Sequence, residues 1–266
     1  MTPMWKTPED ARSLHQVAAN YTVVDAIARD FPPPDPSIDG EAKLTGLAAR
    51  LGLDTPEGLC SPHLGTPVRT ARSSWVRRVD IDSNTYFIKT YVYRTAWERC
   101  RGALRNTGPW RPSRAAREAQ ALAWMQAHDF PVPSVFGAFE RRRLGFVTLA
   151  VLVTAAVPGA PLDRWLPHLT APERARVAAA LGRFVGALHA RGFRDRNLDL
   201  RNLIGRFEPA DDGREPAVAL CKIDSPRFRL VRPGHREDRW SRADWARLLP
   251  QLQPFGLDGA TRAAGR

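Results

Sequence analysis

The spacing of apolar and polar residues in the first half of the chain predicts a series of short strands. Strands are expected at residues 68–71, 76–81 and 86–91. Asp82-Ser83-Asn84 separates the last two and has the composition of a hairpin turn. Since successive side chains of a strand point to opposite faces, Phe87 and Lys89 share one face of the third strand.

A helix is predicted over residues 113–128, after an arginine-rich connector at residues 94–114. Glu118 lies beside its apolar stripe, which consists of Ala115, Ala119, Leu122 and Met125. The apolar stretch at residues 144–158 is too short to cross a bilayer and contains threonines. Two buried strands are therefore expected there.

The second half of the chain opens with a strong helix signal. Thr170-Ala-Pro-Glu173 is a capping box with proline in the first turn, and apolar residues recur at helical spacing until Arg191-Gly192. A short segment at residues 193–204 is polar at its centre, and an apolar strand pair then leads to Asp224. A last helix is predicted over residues 242–252, followed by a frayed end.

These elements divide the chain into four segments. Residues 1–60 form an N-terminal extension with a proline break at residues 31–36 and one small helix at residues 44–53. Residues 61–157 form a first lobe, residues 158–252 a second lobe, and residues 253–266 a tail.

The composition is that of a folded and strongly basic protein. The chain has 266 residues, of which 43% are hydrophobic, and 40 Lys and Arg against 28 Asp and Glu give a formal charge of +12. Such a surplus attracts nucleic acid, anionic lipid surfaces or phosphorylated glycans; it is also found in arginine-rich proteomes without any binding role. Because no aromatic-basic recognition motif is present, nucleic acid is not the expected partner.

The cysteines and the N-terminus indicate a cytoplasmic protein. Cys60, Cys100 and Cys221 lie far apart and have neither metal-ligand spacing nor the even number of a secreted disulfide framework. The first ten residues are not followed by the apolar core of a signal peptide.

The order of polar residues along the chain matches what phosphoryl transfer requires. A cation must lie over the nucleotide phosphates, metal ligands beneath them, and a further group must orient the incoming hydroxyl. Lys89 on a strand, Glu118 on a helix, Asn202 in a polar loop and Asp224 at a strand end occur in that order. Taken singly, each has an ordinary alternative: a surface lysine, an exposed helix position, a loop cap and a turn residue.

The segment Asp195 to Ile204, DRNLDLRNLI, resembles the catalytic loop H-R-D-x-x-x-x-N of protein kinases. The region from Phe87 to Leu249 resembles the lipopolysaccharide core kinases, which phosphorylate Kdo or heptose. The segments that carry this resemblance are YFIKTY, the connector YRTAWERCRGALRNTGPWRPSRAAREAQAL, HDFPVP, ALHARGFRDRNLDLRNLI, CKIDSPRF and RWSRADWARLL. The connector is the most specific of them, because ordinary protein kinases have nothing similar there.

This resemblance implies an α+β, two-lobed protein-kinase-like fold with a small, mainly antiparallel first lobe and a mainly helical second lobe. It implies ATP and Mg²⁺ as cofactors, with Lys89 on the phosphates, Glu118 paired to that lysine, and Asn202 and Asp224 as metal ligands. The implied acceptor is a lipid-anchored anionic glycan of the lipid A-core type, reached by peripheral contact with the inner face of the inner membrane.

Two departures from the family affect the catalytic loop. Asp195 replaces its histidine, and Asn197 replaces the aspartate that accepts the proton of the attacking hydroxyl. Asp195 and Asp199 flank Asn197, and Asp199 is the better substitute base if the loop is extended. The alternative is a pseudokinase, which binds nucleotide, lipid or a protein without transferring phosphate.

Further departures concern the groups around the phosphates. The nucleotide-covering loop, Arg72-Ser73-Ser74-Trp75, contains no glycine, so the hydroxyls and N–H groups of Ser73 and Ser74 would have to bind phosphate beside a bulky tryptophan. The connector has six arginines that either face the acidic acceptor or form a solvated basic surface: Arg94, Arg99, Arg101, Arg105, Arg111 and Arg114. His189 and Asp244 are interpreted as structural, with Asp244 anchoring the catalytic loop.

Overall fold

The computed structural model describes residues 39–102, 107–209, 215–234 and 237–266. The predicted proline break at residues 31–36 lies outside these residues. The chain divides into two compact units, one from Met1–Ala116 and Phe136–Thr154, the other from Arg117–Val135 and Ala155–Arg266. Each unit is described separately.

The first unit is built on a five-stranded sheet with the order β1-β2-β3-β5-β4. Its elements are α1 (Asp39–Arg50), a 3-10 helix (Pro56–Cys60), β1 (Thr66–Ala71), β2 (Ser74–Ile81), β3 (Asn84–Val92), α2 (Ala96–Gly102), β4 (Val135–Arg143), β5 (Phe146–Ala155) and the start of α3 (Arg114–Ala127). The three predicted strands and the helices at residues 44–53 and 113–128 are confirmed, with ends that differ by a few residues.

Local turn chemistry explains the β2–β3 hairpin. Asp82 and Ser83 have φ of +44° and +66°, the left-handed conformation that a two-residue hairpin turn requires. The Asn84 side chain donates a hydrogen bond to the Asp82 carbonyl oxygen at 3.1 Å and supports this turn. The antiparallel register pairs Val76 with Lys89.

The apolar stretch at residues 144–158 forms one strand, β5, so the prediction of two strands is wrong. No glycine, proline, asparagine or aspartate interrupts Phe146–Ala155, and the backbone therefore continues extended through ten residues. Val151 and Val153 of this strand are fully buried.

One face of this sheet forms the core of the first unit together with α1. The buried residues are Leu44, Leu47, Ala48, Leu59, Val79, Ile81, Tyr86, Ile88, Val151 and Val153. A Cβ at Gly137 of β4 would lie 2.6 Å from the Leu44 side chain, so glycine permits the close approach of α1. The described part of the predicted N-terminal extension, residues 39–60, is thus part of this core.

The second unit is mainly helical. Besides α3 from Arg117 onward, its elements are β6 (Ala160–Pro161), α4 (Leu162–Trp165), a 3-10 helix (Leu166–His168), α5 (Ala171–Ala190), β7 (Phe193–Arg194), a 3-10 helix (Leu200–Asn202), β8 (Leu203–Glu208), β9 (Ala217–Lys222), β10 (Arg229–Leu230), α6 (Arg239–Leu252), a 3-10 helix (Gln253–Phe255) and α7 (Asp258–Ala264). The predicted capping box is confirmed, since the Glu173 carboxylate accepts the Thr170 N–H at 2.8 Å.

The core of this unit surrounds α5. Val177, Leu181 and Val185 are fully buried in one cluster with residues of the strands and of α6. Short antiparallel sheets lie beside it, with strand orders β6-β8-β9 and β10-β7. They carry the segments before and after the polar loop at residues 195–202.

The last residues are ordered, so the prediction of a frayed end is wrong. They form α7, which lies directly against α5 because two glycines of α5 leave room for it. A Cβ at Gly182 would lie 2.3 Å from the Thr261 carbonyl oxygen, and a Cβ at Gly186 would lie 2.6 Å from the Gly265 carbonyl oxygen. Gly182 and Gly186 lie four residues apart on one face of α5, and this spacing is the sequence feature from which the contact could have been predicted.

We expect Gly182→Ala to lower the free energy of unfolding by about 1–3 kcal/mol, because the added methyl group meets a backbone atom that cannot rotate away. Gly259→Ala in α7 is the matched control, since a Cβ there meets nothing within 4 Å. Urea denaturation of both variants measures the difference. Equal stability of the two variants would show that α7 does not pack closely against Gly182.

Among the described residues, no helix combines the length and apolar character that a membrane crossing requires.

Candidate active site

The polar loop after β7 is supported by Asp244 of α6. Its carboxylate accepts the backbone N–H of Asp195 at 3.0 Å and that of Arg196 at 2.8 Å. The same carboxylate lies 3.2 Å from His189 Nε2 at the end of α5, and both side chains are buried. The predicted anchoring role of Asp244 is confirmed.

Antiparallel pairing of β8 with β9 brings Asn202 and Asp224 to one end of a small sheet. Leu203 pairs with Lys222, so the residue before β8 lies beside the residues after β9. The Ile223 N–H donates to the Asn202 carbonyl oxygen at 2.9 Å and extends this pairing.

Asn197 connects these two residues. Its Nδ2 donates to the Asp224 carboxylate oxygen Oδ2 at 2.9 Å and to the Asp224 carbonyl oxygen at 2.8 Å. Asn202 Nδ2 donates to the Asn197 carbonyl oxygen at 3.1 Å. The three side chains are half-buried, and this arrangement orients the Asp224 carboxylate and the Asn202 amide.

The donor set of this cluster fits Mg²⁺. Magnesium is bound by one or two carboxylates together with phosphate oxygens and waters, rather than by an all-protein cage. Since Asn202 Nδ2 is used by Asn197, the Oδ1 of Asn202 is the atom left to bind a cation. In the part of the chain that the structure describes, no three His, Cys, Asp or Glu residues converge as a metal site, so a zinc-type site is not supported there.

Asp195, the replacement for the loop histidine, forms a buried ion pair. Its Oδ2 lies 3.2 Å from Lys222 Nζ, and the side chains of Asp195 and Lys222 are only 2% and 0% exposed. Burial raises the pKa of the Asp195 carboxyl, and the Lys222 charge opposes that shift. Lys222 also donates to the carbonyl oxygens of Ile223 and Asp224, so the pair holds the backbone on both sides of the cluster.

Asp199, the second carboxylate near Asn197, is held by arginines. Its side chain caps the 3-10 helix at Leu200–Asn202 and accepts the Arg201 N–H at 3.2 Å. Arg201 binds both carboxylate oxygens, at 3.0 and 2.9 Å, and Arg247 of α6 lies 3.4 Å away. The hydrogen bond from the Arg201 side chain lowers the pKa of Asp199, which favours a permanently charged carboxylate.

The predicted phosphate-binding residues of the first unit lie on β2, on β3 and in the turn before β2. The candidate nucleotide-covering loop is the β1–β2 hairpin, in which Ala71 pairs with Ser74 and the Ser73 carbonyl oxygen accepts the Val92 N–H at 2.9 Å. Trp75 pairs with Thr90 and is 6% exposed. Lys89 directly precedes Thr90 in β3, so Lys89 points to the opposite face of the sheet from Trp75, and this tryptophan does not crowd it.

Glu118 lies in the part of α3 that belongs to the second unit and is 1% exposed. Its neighbour Arg117 binds the carbonyl oxygens of Pro226 at 2.9 Å and Phe228 at 2.8 Å, and so ties α3 to the segment after Asp224. The ion pair of Lys89 with Glu118 stays a prediction, because the two residues belong to different units.

The described part of the connector begins with a capped helix. Thr95 and Glu98 form a reciprocal cap at the start of α2, with the Glu98 carboxylate accepting the N–H of Arg94 at 2.9 Å and that of Thr95 at 3.2 Å. Among its arginines, Arg94 and Arg111 are exposed, Arg99 is half-buried and Arg114 lies 5.1 Å from the centre of the Tyr91 ring. Arg105 and the Arg101 side chain lie outside the described residues.

Sequence reasoning missed Lys222. A signal was present, because Asp195 replaces a neutral or weakly basic residue in a buried loop and therefore requires a cation nearby. Lys222 is the charge within the apolar strand AVALCK, two residues before Asp224.

Fold and loop together define a kinase-like phosphotransferase. The model of the phosphotransferase enzyme family, APH, matches residues 76–261, and the chain belongs to this family. Among solved structures the chain is similar to "WaaP in complex with acyl carrier protein", with 18% identity and a TM-score of 0.58 over 82% of this chain and 83% of that one. No curated protein shows a significant match. The predicted α+β kinase-like fold is confirmed.

Proposed function

We propose that this protein is an ATP-dependent kinase that phosphorylates a hydroxyl of Kdo or heptose in the lipopolysaccharide inner core. The observation that carries this proposal is that Asn202 and Asp224 lie together at one end of the β8–β9 pairing, next to a loop whose backbone Asp244 fixes. Membership of the phosphotransferase family supports the reaction class. The sequence resemblance in the connector supports the acceptor class.

Each proposed role follows from the chemistry of the residue. Asn202 and Asp224 would hold Mg²⁺, which when bound neutralises charge on the phosphate oxygens. Lys89 would bind the nucleotide phosphates and Glu118 would orient it. Ser73 and Ser74 would offer hydroxyl and N–H donors from the β1–β2 hairpin.

This chain departs from the family pattern in the step that removes the proton from the acceptor hydroxyl. The Asn197 amide cannot accept a proton, while Asp195 is paired with Lys222 and Asp199 is paired with Arg201. Phosphoryl transfer depends mainly on positioning and charge, and general-base assistance contributes typically about 10²–10⁴-fold. We therefore propose slow catalysis that relies on positioning, with Asp199 as the candidate base after release from Arg201.

A pseudokinase is the second candidate, and the contact of Asn197 with Asp224 favours it. An aspartate at position 197 would place a second carboxylate beside Asp224, whereas the amide forms a stable hydrogen bond without any cation. In this case the fold would bind nucleotide, or a lipid or protein partner, without transfer.

The proposed setting is the cytoplasm, at the inner face of the inner membrane, where a lipid-anchored anionic glycan would be presented. The arginine-rich character of the chain, with a formal charge of +12, suits such an acceptor. The structural neighbour WaaP was solved in complex with acyl carrier protein, and a protein partner of this kind is a further candidate for this chain.

Purified protein incubated with Mg²⁺, ATP and a Kdo- or heptose-bearing lipid A acceptor tests the proposal by mass spectrometry of the glycolipid. An added phosphate that requires both ATP and Mg²⁺ supports the kinase. A nucleotide-dependent rise in melting temperature without phosphorylation of any such acceptor would support the pseudokinase instead.

We expect Asn197→Asp to raise kcat by about 10²-fold, because it supplies a carboxylate base that the natural loop lacks. The comparison of kcat at saturating Mg²⁺ measures this, since the cation offsets repulsion between the two carboxylates. Asn197→Leu is the control of the same side-chain branching without any polar group, and it gains nothing. Transfer by Asn197→Asp together with no detectable transfer by the natural protein would overturn the kinase proposal.

A further inference from the structure

Two large apolar side chains of the first unit are held in solvent at neighbouring turns. Trp110, in the segment between α2 and α3, is 85% exposed, and Leu144, at the tip of the β4–β5 hairpin, is 89% exposed. A Cβ at Gly145 would lie 2.9 Å from the Pro109 side chain, so the two turns are in contact. Large apolar side chains exposed on adjoining turns are a feature of interaction surfaces.

Arg142 joins the two turns into one rigid structure. Its guanidinium donates to the carbonyl oxygens of Gly108 at 3.0 Å, Arg111 at 2.9 Å and Gly145 at 2.8 Å. It also forms an ion pair at 2.6 Å with Glu140, whose side chain is 4% exposed. We call residues 108–111 and 142–145 the Trp110–Leu144 platform.

Leu144 combines its exposure with a backbone conformation that leucine rarely adopts. Leu144 has φ of +50°, a left-handed conformation that is unfavourable for a residue with a Cβ. Hairpin turns usually place glycine, asparagine or aspartate in this conformation. Here a leucine occupies it and is 89% exposed, so its side chain gains little burial within the described residues.

The exposed charged residues of the platform itself are positive. Arg111 and Arg143 follow Trp110 and precede Leu144 in the chain, and both are exposed. The carboxylate of the segment, Glu140, is buried against Arg142 and does not oppose them. The platform therefore presents an exposed tryptophan and an exposed leucine to solvent, each next to an exposed arginine.

We infer that the Trp110–Leu144 platform docks on the headgroup surface of an anionic lipid bilayer. Tryptophan prefers the boundary between headgroups and acyl chains, and leucine partitions into the acyl region. Arg111 and Arg143 bind lipid phosphates, an attraction that anionic lipids strengthen. Nucleic acid explains the arginines but not an exposed leucine, since bases stack on aromatic rings. This inference goes beyond phosphoryl transfer and holds whether or not the protein is an active kinase.

Co-sedimentation with vesicles, without ATP or acceptor, tests the inference. The natural protein binds vesicles that mix phosphatidylglycerol with phosphatidylcholine, and it binds pure phosphatidylcholine much less. We expect Trp110→Ser with Leu144→Ser to weaken binding to the mixed vesicles about tenfold or more. Arg111→Gln with Arg143→Gln removes the preference for anionic lipid.

Val68→Ser is the matched control. Val68 is an exposed apolar residue, 56% exposed, on β1 at the opposite edge of the same sheet from β4, and its replacement leaves vesicle binding unchanged. Melting temperatures verify that all variants are folded. Equal binding to both vesicle types, or equal loss in the Val68 variant, would overturn the inference. So would variants that bind vesicles normally but lose binding to RNA or to an acidic carrier protein, which would assign the platform to that partner.

Discussion

Lys222→Met is expected to lower the free energy of unfolding by about 3–5 kcal/mol, because it leaves the Asp195 carboxylate buried without its cation. The two side chains are 0% and 2% exposed and lie 3.2 Å apart. The loss is limited by protonation of Asp195, whose pKa burial already raises. Urea denaturation at neutral pH measures the change.

Two controls separate the ion pair from other effects of the substitution. Arg206→Met breaks the exposed pair with Glu208 on β8, in which the side chains are 44% and 46% exposed, and should cost less than about 1 kcal/mol. Lys222→Met combined with Asp195→Leu removes both buried charges and should recover most of the lost stability. A similar small loss in Lys222→Met and Arg206→Met would contradict the buried pair.

Asp224→Asn is expected to reduce phosphoryl transfer about 10³-fold, which corresponds to about 4 kcal/mol of transition-state stabilisation. The substitution removes the negative charge proposed to bind Mg²⁺. Asparagine suits this position because Asp224 has φ of +59°, a conformation that asparagine tolerates and alanine does not. The expected loss of phosphoryl transfer in this variant therefore does not come from a changed backbone conformation at residue 224.

Two measurements test this expectation together. The rate of transfer to the glycolipid acceptor gives kcat, and the rise of melting temperature with Mg²⁺ and ATP gives nucleotide binding. Without nucleotide, the variant should melt close to the natural protein. Asp258→Asn, which changes a half-buried aspartate on α7, should retain full activity. Full transfer by Asp224→Asn would mean that the metal ligand lies elsewhere.

Elements defined by short-range chemistry were predictable from the sequence. The hairpin at Asp82-Ser83, the capping box at Thr170 and the helix over Arg114–Ala127 follow from turn residues, caps and periodicity. The proximity of Asn202 and Asp224 was also predictable, because Asn202 stands directly before one of two paired strands and Asp224 stands two residues after the other.

Contacts between residues far apart in the chain were not predictable. Arg247 reaches Asp199 from a position 48 residues later, and no local pattern indicates this ion pair. The sequence-based expectation that Asp199 acts as a base assumed an extended loop. It did not include the contacts of Asp199 with Arg201 and Arg247. Similarly, α7 resembled a frayed end because its sequence is weakly apolar, and only the two glycines of α5 create the space in which it packs.

Asp244 makes the polar loop at residues 195–202 depend on α6, which is synthesised after it. The hydrogen bond to the Asp195 N–H joins residues that are 49 positions apart. On the ribosome, every polar residue of the loop is synthesised well before the carboxylate that fixes its backbone. A nascent chain that stops short of α6 therefore contains Asn197, Asn202 and Asp224 but lacks the support that shapes their loop, so the loop takes up its final shape only after α6 has been synthesised.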